Sequence, residues 1–73
     1  MIRKELKNAS DLIKIIGKQK DLLTDVDEVI RSYNSGDLEM DASSFEDLVG
    51  QFDINNRKLT DAIKQMLFSF REQ

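Results

Sequence analysis

The chain has 73 residues, 34% of them charged and 40% hydrophobic, with a net charge of −3 and no proline, cysteine or histidine. At that length a single domain with a thin core is expected, marginal by itself unless stapled or partnered. The lack of cysteine excludes a disulfide staple and a thiolate metal site. No run approaches a membrane span, and the charged segment Met1–Lys7 lacks an apolar stretch, so a cytoplasmic protein without membrane contact is the expectation.

The first predicted element is a helix over about residues 3–34. Ile2, Leu6, Ala9, Ile13 and Ile16 recur in steps of four, three, four and three, and Leu23, Val26, Ile30 and Tyr33 continue the pattern. These are read as its seam. Gln19 or Lys20 faces inward between the two runs. Leu12, Ile15, Leu22 and Val29 lie beside the seam and make the apolar face broad enough for more than one neighbour. Gly17, inside this helix, is read as a tolerated glycine, a kink or a close crossing point. Asn8 or Ser10 offers an alternative, later helix start.

Asn34-Ser35-Gly36-Asp37 is the clearest stop, with Gly36 suited to the left-handed position that terminates a helix. A turn over residues 35–41 follows. The second helix is predicted over about residues 42–71, entered in one of two ways. Asp41 as N-cap pairs Met40 and Phe45 in a hydrophobic staple, whereas Ser43 as N-cap closes a capping box with Glu46. Its stripe is Phe45, Val49, Phe52, Leu59, Ile63, Met66 and Phe70, with Asn56 as the one polar member. A polar residue in such a seam fixes register or partner choice. Leu67, Phe68 and Phe70 crowd the last turns and form, with that stripe, the expected partner-binding surface.

The fold class expected is therefore all-α, an antiparallel two-helix hairpin of coiled-coil type, completed by a helical protein partner or by self-association as a dimer. Charge is unevenly spread. Residues 1–20 hold six bases and two acids, residues 21–53 one base and ten acids, and residues 54–73 four bases and two acids. In a hairpin the acidic block gathers at the turn and the basic segments at the open end, where they can steer a charged partner.

Enzymatic chemistry is not expected. No histidine or cysteine is available, Tyr33 is the only tyrosine, and acids such as Asp25, Asp27 and Glu28 sit at spacings that do not face one another on a helix. Asp53-x-Asn55-x-Arg57 opens like a calcium loop, but Arg57 fills a ligand position and Lys64 stands where the bidentate glutamate belongs. No catalytic, cofactor or metal residues are assigned, and direct nucleic-acid contact does not suit the acidic balance.

Two families share features with this chain. In length, in Asp41-Ala42-x-x-Phe45 at the start of the second helix, and in Ile63-x-x-Met66-Leu67-Phe68-x-Phe70 at its end, the chain resembles the small co-chaperone of the type III secretion needle subunit. That resemblance implies an accessory chain that pairs with a larger helical-repeat chaperone and keeps the needle protein from polymerising. Over about residues 22–66, Ser35-Gly36-Asp37-Leu38, Phe45-Glu46, Val49, Lys58-Leu59 and Ala62 resemble the small subunit of exodeoxyribonuclease VII, ranked second. There the resemblance implies an accessory coiled coil whose catalytic residues lie on a larger subunit. Both lead to a non-catalytic accessory or adaptor protein. A self-contained homodimeric regulator is the third expectation.

Overall fold

With no proline and little glycine, only the Asn34–Asp37 segment interrupts the helical repeat. The computed structural model describes residues 9–72 and follows this pattern, with α1 (Ala9–Ser35) and α2 (Ala42–Arg71) folded back as an antiparallel hairpin. Its principal extents are 58 × 18 × 17 Å. The predicted helical residues 3–8, with Ile2 and Leu6, lie outside the described residues. The rest of the predicted boundaries agree to within a residue, and no strand occurs among the described residues.

Each boundary has a local cause. Gly36 takes φ +79°, and its N–H donates to the Tyr33 carbonyl at 3.2 Å while the Asp37 N–H reaches back to the Ser32 carbonyl at 2.9 Å. These are the paired bonds that satisfy the last carbonyls of a glycine-terminated helix. At the start of α2 the Asp41 carboxylate accepts from the Ser44 N–H at 2.8 Å. Asp41 is thus the N-cap, with Met40 and Phe45 at the staple positions, and the capping box on Ser43 is not the one used. α1 runs unbroken through Gly17, where an added Cβ would meet nothing within 4 Å, so this glycine marks no close crossing.

The seam differs from the predicted one by a rotation of each helix. On α1 the inward residues are Leu12, Ile15, Gln19, Leu22, Val26 and Val29, in steps of three and four. On α2 they are Leu48, Phe52, Asn55, Leu59, Ala62 and Met66. The side chains expected beside the α1 seam are therefore inside it, and Ile13, Leu23, Ile30 and Tyr33, expected inside, are exposed. On α2 the column of Phe52, Leu59 and Met66 is as predicted, while the other column is Leu48, Asn55 and Ala62 in place of Val49, Asn56 and Ile63. The physical reason is that apolar residues occur as adjacent pairs, among them Ile15-Ile16, Leu22-Leu23 and Leu48-Val49. Either member of each pair continues a spacing of seven.

The core is thin, as the length requires. Leu22 (3% exposed) and Leu48 (8%) are its only buried apolar side chains among the described residues. On the open-end side of both lies a buried polar pair, Gln19 (8%) and Asn55 (7%). The Asn55 amide donates to Gln19 Oε1 at 2.8 Å and to the Ile15 carbonyl at 3.2 Å. Gln19 Nε2 in turn donates to Asn56 Oδ1 at 3.2 Å. No buried side-chain polar atom among the described residues lacks a partner. This clamp ties the middle of α1 to the middle of α2 and sets the register, the role expected of a polar residue in an apolar seam. Asn55 fills that role at the centre of the seam, and Asn56, where the polar position was predicted, is exposed at its rim.

Candidate protein-binding face

Antiparallel helices are related by a pseudo-two-fold normal to the plane of their axes. Residues that follow equivalent seam positions on the two helices therefore lie on the same flank of the pair. One such flank takes Ile16, Leu23 and Ile30 from α1 and Val49, Ile63 and Phe70 from α2, all exposed. Asn56 stands in the α2 column of this flank, and its bond from Gln19 confirms that the two columns border the same side of the seam. The opposite flank carries Asp11, Lys18 and Asp25 on α1 and Gln51, Lys58 and Gln65 on α2. One side of the hairpin is thus apolar along its length and the other polar. Two ion pairs on the surface, Arg31 with Asp27 at 2.9 Å and Arg57 with Asp53 at 3.2 Å, join residues one turn apart within a helix. They brace the helices by tenths of a kcal/mol, roughly 0.3–0.5 each.

The ten residues predicted to bind a partner divide into groups. Phe52, Leu59 and Met66 are half-buried in the hairpin seam. Val49, Asn56, Ile63 and Phe70 form the outer apolar flank, with Leu67 one turn from Ile63 on its edge. Phe45 lies at the turn end. Phe68 is exposed on the other side of α2, because two residues' separation from Phe70 turns it by about 200°. The predicted aromatic cluster at the C-terminal end is therefore split, with Leu67 and Phe70 on the apolar flank and Phe68, like Ile54, outside it. The α1 half of the flank, Ile16, Leu23 and Ile30, was missing from the predicted partner surface. The breadth of apolar residues on the first helix was the signal for it.

At the turn end the flank runs into a groove of about 460 Å³, walled mainly by Val29, Ile30, Tyr33, Leu38, Met40 and Phe45. Its position follows from the staple: Met40 and Phe45 flank the Asp41 cap, while Ile30 and Tyr33 come from the last turns of α1. The groove is mainly apolar, with Asn34 and the Asp41 cap as its polar lining residues. The Asp41 carboxyl is held below the ordinary carboxylate range by the hydrogen bond from the Ser44 N–H. A charged N-cap beside an apolar depression suits the docking of a side chain or helix end; nothing in the arrangement resembles a general acid–base pair.

No helix among the described residues is long and apolar enough to cross a membrane. Comparison with protein-family models, with curated proteins and with solved structures finds no match to this chain.

Proposed function

We propose that this chain is a non-enzymatic accessory protein that works by packing its apolar flank onto another helical protein surface. The observation that carries the reading is the asymmetry of the hairpin: both helices contribute exposed aliphatic and aromatic side chains to one flank and polar ones to the other. A contiguous exposed apolar patch rimmed by polar residues is the usual mark of a protein-binding face. The hairpin seam, with two buried apolar residues among those described, leaves the fold in need of added burial. The most concrete setting is a small co-chaperone of a secretion-system subunit, supported by the Asp41-Ala42-x-x-Phe45 opening of α2, in which Asp41 is the cap and Phe45 the staple residue. A small non-catalytic subunit of an exodeoxyribonuclease VII-type enzyme would use the same face.

The test is crosslinking in cells with a lysine-reactive reagent, comparing the parent chain with the double variant Leu23→Asp/Ile63→Asp. Both positions are exposed, so the hairpin is expected to keep its helicity by circular dichroism. The parent chain should crosslink to a helical protein, a second copy included, and the double variant should lose that product. Retention of every crosslink by the folded double variant would overturn the proposal.

A further inference from the structure

The apolar flank and the turn-end groove together identify the occupant. We infer that a second copy of this chain covers the flank, in an antiparallel two-fold arrangement in which Phe70 of each copy enters the turn-end groove of the other. The inference rests on the reading of this flank as a binding face and commits it to one partner.

Three features point to a second copy. The first is length matching. Phe70 lies fourteen residues from Asn56 along α2, and Tyr33 fourteen residues from Gln19 along α1. At 1.5 Å per residue both distances are about 21 Å. Gln19 and Asn56 share one level of the hairpin, joined by their hydrogen bond. A two-fold axis through that level, perpendicular to the long axis, therefore brings Phe70 of one copy to the height of the Tyr33 groove of the other. The groove, at about 460 Å³, has room for an aromatic side chain and its Leu67 neighbour.

The second feature is charge. The turn half of the hairpin carries the acidic block, with ten acids and one base in residues 21–53, and the segments at the open end are basic. An antiparallel pair sets acidic turn against basic open end twice. A parallel pair sets turn against turn, and like charges brought together in this way select against it. The third feature is area. The face presented is about 58 by 18 Å, on the order of 1,000 Å² from each copy, which is what a stable dimer buries. Asn56 then falls at the two-fold axis in an otherwise apolar column. Its Oδ1 is engaged by Gln19, which leaves its amide group to donate to the opposite copy. A polar residue so placed fixes the axial alignment of two apolar faces.

The experiment uses the purified full chain alone. Sedimentation equilibrium near 100 μM should give twice the 8.4 kDa chain mass. A spin label on Glu39→Cys, at the turn, should report one distance close to the 58 Å length of the hairpin. Phe70→Ser should weaken the dimer at least tenfold, and Phe68→Ser, on the other side of α2, should leave it unchanged. A monomer at that concentration overturns the inference. So does a dimer whose Glu39 labels lie far closer than the length of the hairpin, as a parallel pair with neighbouring turns requires, or one indifferent to Phe70→Ser. If the chain is a monomer alone but crosslinks in cells to another protein through Leu23 and Ile63, the second copy is refuted and the binding face stands.

Discussion

The buried clamp at the centre of the hairpin allows a quantitative test of what sets its register. Replacing Asn55 by Leu removes two hydrogen bonds, the 2.8 Å bond to Gln19 Oε1 and the 3.2 Å bond to the Ile15 carbonyl. The carbonyl keeps its place in the helical ladder, but Gln19 Oε1 is left in the seam without its donor. A net hydrogen bond contributes about 1 kcal/mol, and stranding a buried polar atom costs about 1–3 kcal/mol, so Asn55→Leu should destabilise by roughly 2–4 kcal/mol. Gln19→Leu should cost less, about 1–2 kcal/mol, because the Asn55 amide still donates to Ile15. With both residues changed nothing is stranded and two leucines fill the gap, so the double variant should come near or above the parent. The single changes are then strongly non-additive, by on the order of 3 kcal/mol. Urea unfolding followed by far-ultraviolet circular dichroism measures all four proteins, at one protein concentration because any association through the apolar flank makes the midpoint concentration-dependent. Additivity within about 0.5 kcal/mol, or an Asn55→Leu variant as stable as the parent, would refute the account of the clamp as a coupled buried unit.

The remaining predictions concern the helix ends and the outer faces. Gly36→Ala forces a side chain into φ +79° and should cost about 1 kcal/mol in urea unfolding. Gly17→Ala and Gly50→Ala, where an added Cβ meets nothing within 4 Å, should each stabilise by up to about 1 kcal/mol; a lower melting temperature for either would show that the glycine is needed for packing. Asp41 has a folded-state value below its unfolded one, so its contribution is fully present above the unfolded carboxylate range and lost as pH falls through the folded value. The parent should therefore exceed Asp41→Asn in stability at pH ~7 and show a smaller advantage at pH ~3, on either side of the ordinary aspartate value. An equal difference at both pH values, in matched unfolding curves, would place the effect outside the cap's ionisation.

Much of the hairpin was legible in the sequence because its punctuation is local. A helix end at Gly36 requires only that this residue reach positive φ, and an N-cap at Asp41 only that a short acceptor precede the Ser44 N–H. Both are decided within a few residues. An inward polar residue was also visible, since Gln19 or Lys20 fills the gap between the two apolar runs, and the structure places Gln19 there. Its mate was not identified, although the position of the turn narrows the choice: in a hairpin closing over residues 35–41, Gln19 falls opposite about residue 57, within two residues of Asn55 and Asn56. The candidate site was legible in part. Val49, Asn56, Ile63, Leu67 and Phe70 were named and lie together on the outer flank, while Phe68 stands on the other side.

The sequence by itself determined two helices, the stop at Gly36 and the turn that follows it, the separation of acidic middle from basic ends, and the excess of apolar surface. Only the tertiary structure decided which apolar column closes the hairpin and which remains outside. Adjacent pairs such as Leu22-Leu23, Leu48-Val49 and Asn55-Asn56 differ by about 100° around the helix, and either member continues the same repeat. The choice between them belongs to the opposing helix. Gln19, turned into the seam, needs a polar partner at its own level, and Asn55 supplies it with a 2.8 Å bond. That bond turns Leu48 inward and leaves Val49, Ile63 and Phe70 as the outer face.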